Sequence, residues 1–133
     1  MRIEERDVPH APLIAIIDDD ESLRLAASSL LRSMGYVTEF FASAEEFLGS
    51  GALSRFACIV ADIQMPGMSG IELTHKLIAD NGAAKVVLMT ARTETDIHNR
   101  ARASGAVCLL QKPFAAESLL KCVDKALVSD RQD

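Results

Sequence analysis

Cys58-Ile59-Val60-Ala61-Asp62-Ile63-Gln64-Met65-Pro66-Gly67-Met68-Ser69-Gly70 decides how the rest of the chain is read. A short apolar run carries a single carboxylate and is then broken by a Pro/Gly turn. A run of this length bounded by turn residues has the pattern of a strand buried on both faces. A carboxylate at its end reaches solvent where the backbone leaves the sheet, and open α/β sheets bind ligands at such strand ends. Asp62 is therefore the expected centre of the chemistry.

Upstream, Leu13 to Ile17 is another apolar run, leading straight into Asp18, Asp19, Asp20 and Glu21. Carboxylates favour a helix N-terminus and Asp20 can cap one, which accounts for Asp20 and Glu21 but not for four adjacent acids. The helix that follows carries Leu23, Ala26, Ala27, Leu30, Leu31 and Met34 at helical spacing and stops at Gly35. Leu25 lies off that stripe and is predicted to be exposed. Val37 to Phe41 is a shorter, more polar strand suited to a sheet edge. Ser43 with Glu46, and Ser69 with Glu72, have the spacing of capping boxes. The first opens a short helix ending at Gly49-Ser50-Gly51; the second opens a helix holding Ile71, Leu73, Leu77 and Ile78 and closed by Asn81-Gly82.

Downstream, Val86 to Met89 is a buried strand ending at Thr90. From Thr93 to Ser104 the pattern is helical but thin, with Ile97 and Ala101 the main apolar contributors. Elements with few apolar contacts come from the low-stability end of a fold, so this helix is the expected moving part. Val107 to Leu110 is a fifth strand running into Gln111-Lys112-Pro113-Phe114, and the last helix carries Leu119, Leu120, Val123, Ala126 and Leu127. Strands alternating with helices predict a doubly wound α/β fold, a five-stranded parallel sheet covered on both faces. In such a sheet every strand's C-terminal end lies at one edge, which gathers Asp18, Asp19, Asp62, Thr90 and Lys112.

Three carboxylates at one edge repel one another unless a cation shares the site. Mg²⁺ suits it, because this ion takes oxygen ligands, keeps several waters and needs only one or two carboxylates plus a phosphate. Asp19 and Asp62 are the expected direct ligands, with Asp18 acting through water and the Gln64 main-chain carbonyl supplying another oxygen. With a metal and Lys112 offsetting its repulsion for phosphate, Asp62 can attack a phosphoryl group and form an aspartyl-phosphate. Thr90 offers a hydroxyl for a phosphoryl oxygen and Lys112 a mobile point charge. Taken singly, each of these residues has an ordinary reading as a cap, a strand terminus or a loop charge; it is their joint placement that argues for a site.

Composition narrows the class further. The 133 residues are 49% hydrophobic and 25% charged with a net charge of -5, an ordinary globular balance that fits one domain. No Lys/Arg cluster forms, so direct nucleic-acid binding is not expected. Cys58, Cys108 and Cys122 lie widely spaced within apolar patterns and are predicted to be buried free thiols, which fits a reducing cytoplasm. His10, His75 and His98 sit in polar settings and are expected to be solvated, without metal-ligand spacing. No membrane span or export signal is expected.

Asp18-Asp19, Asp62 followed by Met65-Pro66-Gly67-Met68-Ser69-Gly70, Thr90-Ala91 and Lys112-Pro113-Phe114 resemble the receiver domain of bacterial two-component response regulators. The resemblance covers residues 12–128, leaving tails at 1–11 and 129–133. It implies a CheY-like, flavodoxin-like (βα)5 fold with strand order 2-1-3-4-5, and a phosphoacceptor that takes its phosphoryl group from a sensor histidine kinase or phosphotransfer protein. Such a protein is not an enzyme in the ordinary sense but catalyses its own phosphorylation and dephosphorylation. By the same resemblance Asp62 is the acceptor, Asp18 and Asp19 the acidic pair, Thr90 and Lys112 the switch residues, and Lys112-Pro113 a cis peptide. The resemblance also implies that contacts with the kinase or a downstream protein target would involve Leu23, Leu25, Pro113 and Phe114. Phe40 to Leu48 is similar to receivers attached to helix-turn-helix output domains of the nitrogen-fixation regulator type.

The chain departs from the family pattern at several points. Leu109 stands where many receivers carry a switching aromatic, and it either packs simply or changes how the switch works. Ala115 and Ala116 begin the last helix where a polar cap is typical. Gln64 and Arg92, two residues past Asp62 and Thr90, occupy positions that by the resemblance flank the path of the hydrolytic water, and Arg92 is expected to contact or shield the phosphoryl group. The expected protein is a stand-alone cytoplasmic receiver, monomeric or weakly dimeric, whose output is binding to another protein. The alternatives are a receiver fragment of a longer DNA-binding transcription regulator and a binding module that ignores phosphorylation. A hydrolase using an aspartyl-phosphate would need an acid/base carboxylate at Gln64.

Overall fold

The computed structural model describes residues 11–129 except 52 and 83; the predicted tails and His10 lie almost wholly outside them. The elements run β1 (Leu13–Ile17), α1 (Glu21–Ser33), β2 (Val37–Phe41), α2 (Ala44–Leu48), a 3₁₀ turn (Leu53–Arg55), β3 (Cys58–Asp62), α3 (Gly70–Asn81), β4 (Val86–Thr90), α4 (Thr95–Ala103), β5 (Cys108–Gln111) and α5 (Ala116–Ser129). All pairings are parallel and the order is β2-β1-β3-β4-β5.

Successive strand residues point to opposite faces, and both faces are covered. Ala15, Ile17, Ile59, Ala61 and Leu88 pack with Phe47 of α2, with Ile71, Leu73 and Leu77 of α3, and with Ala101 of α4. Ile14, Ile16, Val60, Val87 and Met89 pack on the other side with Ala27 and Leu31 of α1 and Leu119, Val123 and Ala126 of α5. Continuous apolar strands, rather than alternating ones, follow from this double cover. β2 is one of the two edge strands, with β5 the other, and Val37 and Phe40 on β2 are exposed, as its mixed sequence predicts.

Helix starts follow the local signals closely. Asp20 accepts the Ser22 and Leu23 N–H groups, Ser43 accepts Glu46 N–H, and Ser69 with Glu72 closes a complete capping box. Glu94 precedes α4 without any side-chain cap bond. Lys112-Pro113 is cis.

Three expectations need correction. Ala26 and Met34 of the α1 stripe are exposed, because the stripe is wider than the sheet contact and its outer part turns toward α5. β5 begins at Cys108 rather than Val107. Cys108 and Cys122 are paired as a disulfide between β5 and α5, with Cα atoms 5.8 Å apart, and only Cys58 is a buried free thiol. The spacing that argued against pairing is linear, whereas the β5–α5 turn folds the two positions against each other.

Candidate functional site

Register brings the acids together. Ile17 pairs with Ala61, so the residues after them, Asp18 and Asp62, emerge side by side at the C-terminal edge of β1 and β3. The neighbouring strand ends carry Thr90, paired with Gln111, and Lys112 just beyond it. Asp18 has no solvent exposure, and both of its oxygens are engaged: Oδ1 accepts Asp20 N–H at 2.9 Å and Oδ2 faces Lys112 Nζ at 2.9 Å. Arg24 donates to the Asp18 carbonyl at 2.7 Å, fixing this backbone turn from α1.

Asp62 is also buried, with Oδ2 3.4 Å from Lys112 Nζ. Its Oδ1 has no hydrogen-bond partner among the described residues, a costly condition for a buried carboxylate oxygen. Burial, followed by the charge of Asp18, pushes Asp62 up to about 6, although Lys112 and the Gln64 backbone pull the other way. Burial alone would lower Lys112, but hydrogen bonding and charge from Asp18 and Asp62 hold it above the usual lysine range. One cation thus serves two buried carboxylates. Asp19 is exposed beside them, and oxygens of Asp18, Asp19 and Asp62 all lie within 4.8 Å of one another. This set of hard oxygens with an unsatisfied member fits a metal ion.

The β3–α3 loop is held from two sides. Glu45 of α2 accepts Met68 N–H at 2.8 Å, and a Cβ at Gly67, where φ is +80°, would come within 2.6 Å of that carboxylate. At Gly70 a Cβ would lie 2.5 Å from the Asp62 carbonyl oxygen, so only glycine lets α3 start directly beneath the acid. The loop in turn places the Gln64 side chain, whose Oε1 accepts the Thr90 hydroxyl at 2.8 Å; Arg92 N–H donates to the same hydroxyl at 3.0 Å.

The other predicted residues are distributed as follows. Leu23, Pro113 and Phe114 line an apolar groove of about 580 Å³ between α1 and α5, with Lys112 at its site end. Leu25 is 51% exposed, outside the lining of that groove. Leu109 is partly buried against the α3/α4 side of the core, the packing reading of that position. The exposed Arg92 guanidinium lies 3.5 Å from Glu94. Sequence reasoning missed Glu45, the Gln64 side-chain bond and the contact of His98 with the Arg92 carbonyl at 2.8 Å. Glu45 is next to a residue with capping-box spacing, so its reach into another loop has no local signal.

The response regulator receiver domain family matches residues 14–124. The chain belongs to this family. Transcriptional regulatory protein FixJ of Bradyrhizobium diazoefficiens is 33% identical over 114 residues, 86% of this chain and 56% of that protein. Response regulator protein TodT of Pseudomonas putida is 34% identical over 117 residues, covering 88% of this chain and 52% of that protein. The chain thus spans about half the length of these curated relatives. Among solved structures, chemotaxis protein CheY4 of Vibrio cholerae superposes with a TM-score of 0.80 at 29% identity, covering 89% of this chain and 100% of that one. Response regulator StyR does so with a TM-score of 0.80 at 35% identity, covering 92% and 63%. The receiver is therefore a CheY-like domain of the two-component class, with the predicted strand order. Among its described residues no helix is long and apolar enough to cross a membrane.

Proposed function

We propose that this receiver is a Mg²⁺-dependent phosphoacceptor in which Asp62 takes a phosphoryl group from a phosphohistidine on a sensor kinase or phosphotransfer protein. The observation that carries this reading is the buried, unpartnered Asp62 Oδ1 at a strand end shared with Asp18, Asp19, Thr90 and Lys112. A carboxylate oxygen of Asp62 attacks phosphorus, the P–N bond breaks, and the imidazole leaves with its electron pair. Asp19, Asp62 and the Gln64 carbonyl would hold the ion, Asp18 reaching it through water because its own oxygens are taken by Asp20 and Lys112. The bound ion supplies charge neutralisation for the incoming phosphoryl oxygens.

Lys112 then moves from a carboxylate pair to a phosphoryl oxygen, and Thr90 donates its hydroxyl to another. Water later hydrolyses the acyl phosphate, so the domain catalyses both its loading and its unloading. Residues 12–128 form the receiver, which acts in the cytoplasm as a monomer or weak dimer without binding nucleic acid itself. The groove of Leu23, Pro113 and Phe114, with Leu25 beside it, receives the kinase or a downstream protein. Apolar surface next to charged chemistry suits such a transient contact.

Intact mass after incubation with acetyl phosphate tests the reading: one phosphoryl addition that requires both Mg²⁺ and Asp62 is expected. No adduct together with no beryllofluoride binding would leave a phosphorylation-independent binding module. A second reading, control of a DNA-binding unit in the same polypeptide, is favoured by the relatives that are about one and a half times as long and named transcriptional regulatory proteins. Extension of the reading frame beyond Asp133 decides it.

A further inference from the structure

The Thr90 hydroxyl has one proton, and it is already committed. It points to Gln64 Oε1 at 2.8 Å, while the hydroxyl oxygen accepts Arg92 N–H at 3.0 Å. The same Arg92 residue offers its carbonyl to His98 Nε2 at 2.8 Å. A carbonyl has no hydrogen to give, so Nε2 is the protonated ring nitrogen of this contact. Both peptide groups of Arg92 are therefore fixed, one to the acceptor site and one to α4.

We infer that Gln64, the Arg92 backbone and His98 form a hydrogen-bonded relay that holds the switch in its resting state and carries a change at Thr90 to α4. The inference rests on the phosphoacceptor reading for its trigger. A phosphoryl oxygen on Asp62 competes with Gln64 Oε1 for the single Thr90 proton, and both cannot have it. Gln64 is only half-buried, so water takes over its freed amide. When the Thr90 oxygen turns toward the phosphoryl group, Arg92 N–H loses its acceptor and the Arg92 carbonyl loses its fixed position under His98.

Helix α4 has few other anchors near its start. Its N-cap Glu94 makes no side-chain cap bond, and Ala101 is its fully buried residue. Leu109, on the α4 side of β5, has neither a ring to swing nor a polar atom to couple Thr90 to this surface. The Gln64 side chain and His98 are thus positioning groups: neither touches the reacting phosphorus or the ion in this scheme, the Gln64 main-chain carbonyl being unaffected by substitution, and each acts through Thr90 or Arg92.

The test is a double-mutant cycle with Gln64→Ala and His98→Ala, read by hydrogen exchange of residues 92–98 in the unliganded protein and by affinity for beryllofluoride with Mg²⁺. Removing either partner is expected to raise exchange across 92–98 and to tighten beryllofluoride binding about three- to ten-fold, the worth of one neutral hydrogen bond. The double variant should gain less than the product of the two single effects. His98→Gln, which keeps an N–H donor on a flexible stem, should restore slow exchange; His98→Phe, which keeps ring bulk without a donor, should not. Multiplicative effects of the two single substitutions, or equal behaviour of His98→Gln and His98→Phe, would overturn the relay. Failure of the wild type to bind beryllofluoride overturns the phosphoacceptor reading instead, while the exchange cycle still decides the relay.

Discussion

Replacing Asp62 by Asn should make the metal-free protein more stable while abolishing its chemistry. The carboxylate is 8% exposed, its Oδ1 has no partner, and Asp18 lies beside it, so its charge is carried at a cost that Lys112 only partly offsets. Its titration rises from 3.8 to about 6 on folding. At about 1.36 kcal/mol per unit this sets a ceiling of about 3 kcal/mol, and relaxation around the amide brings the expected gain to about 1–3 kcal/mol at pH 8. For a domain of this size that is roughly 4 °C of melting temperature per kcal/mol. The sign follows from proton binding. Between about pH 4 and 6 the folded form holds a proton that the unfolded form has released, so wild-type stability falls as pH rises through that window and then levels. The advantage of Asp62→Asn should therefore be full above pH 7 and fade toward pH 4. Thermal melts of both proteins in chelator across that range measure it, and millimolar Mg²⁺ should reverse the order by stabilising wild type alone. An Asn variant no more stable than wild type at pH 8 in chelator, or a gap that does not shrink in acid, would refute the reasoning.

Other changes probe the supports of the site. Gly70→Ala forces a Cβ against the Asp62 carbonyl oxygen and should cost about 1–3 kcal/mol in urea melts while weakening Mg²⁺-dependent stabilisation. Arg92→Ala removes an exposed guanidinium now paired with Glu94, and should shorten the lifetime of the phosphorylated form about two- to five-fold with no more than about 0.5 kcal/mol effect on stability; an unchanged dephosphorylation rate would show that Arg92 does not shield the phosphoryl group. Thiol titration of the denatured protein should count one free cysteine without reductant and three with it. In the native protein Cys58 should react slowly, its thiol buried and pushed up to about 12.

The fold was legible because its signals are local: an apolar run of about five residues, a cap, and a glycine, repeated along the chain. Asp20, Ser69 with Glu72, and Gly35 beyond α1 behave as their residue types demand. The acids and Lys112 were legible for a topological reason, since parallel strands deliver all their C-terminal ends to one edge. What escaped depends on distances between elements that have no sequence period. Glu45 reaches Met68, Gln64 reaches Thr90 and His98 reaches Arg92 because loops fold over one another, and nothing in the spacing of those residues encodes it. The Cys108–Cys122 pairing escaped for the same reason. The outer half of the α1 stripe was misjudged because apolar periodicity tells which face is covered but not how far the cover extends.

These two kinds of feature also divide the work of a switch. The sheet edge cannot yield: β4 and residues 14–17 of β1 are wholly buried, α1 is capped by Asp20, and α3 is locked by its capping box and by Gly70 against Asp62. A new group on Asp62 must therefore displace something that is held weakly. The Thr90 backbone belongs to the β4–β5 ladder, but its buried side chain is held through one hydroxyl, and the segment after it leads to a helix without a side-chain N-cap and with little buried surface. Local opening follows the lowest free-energy route, so under the proposed function the response to chemistry at Asp62 is expected to concentrate between Arg92 and Ala103 rather than spread over the sheet. Under the proposed function, the thinness of α4 is what would turn a rigid acceptor site into a signal.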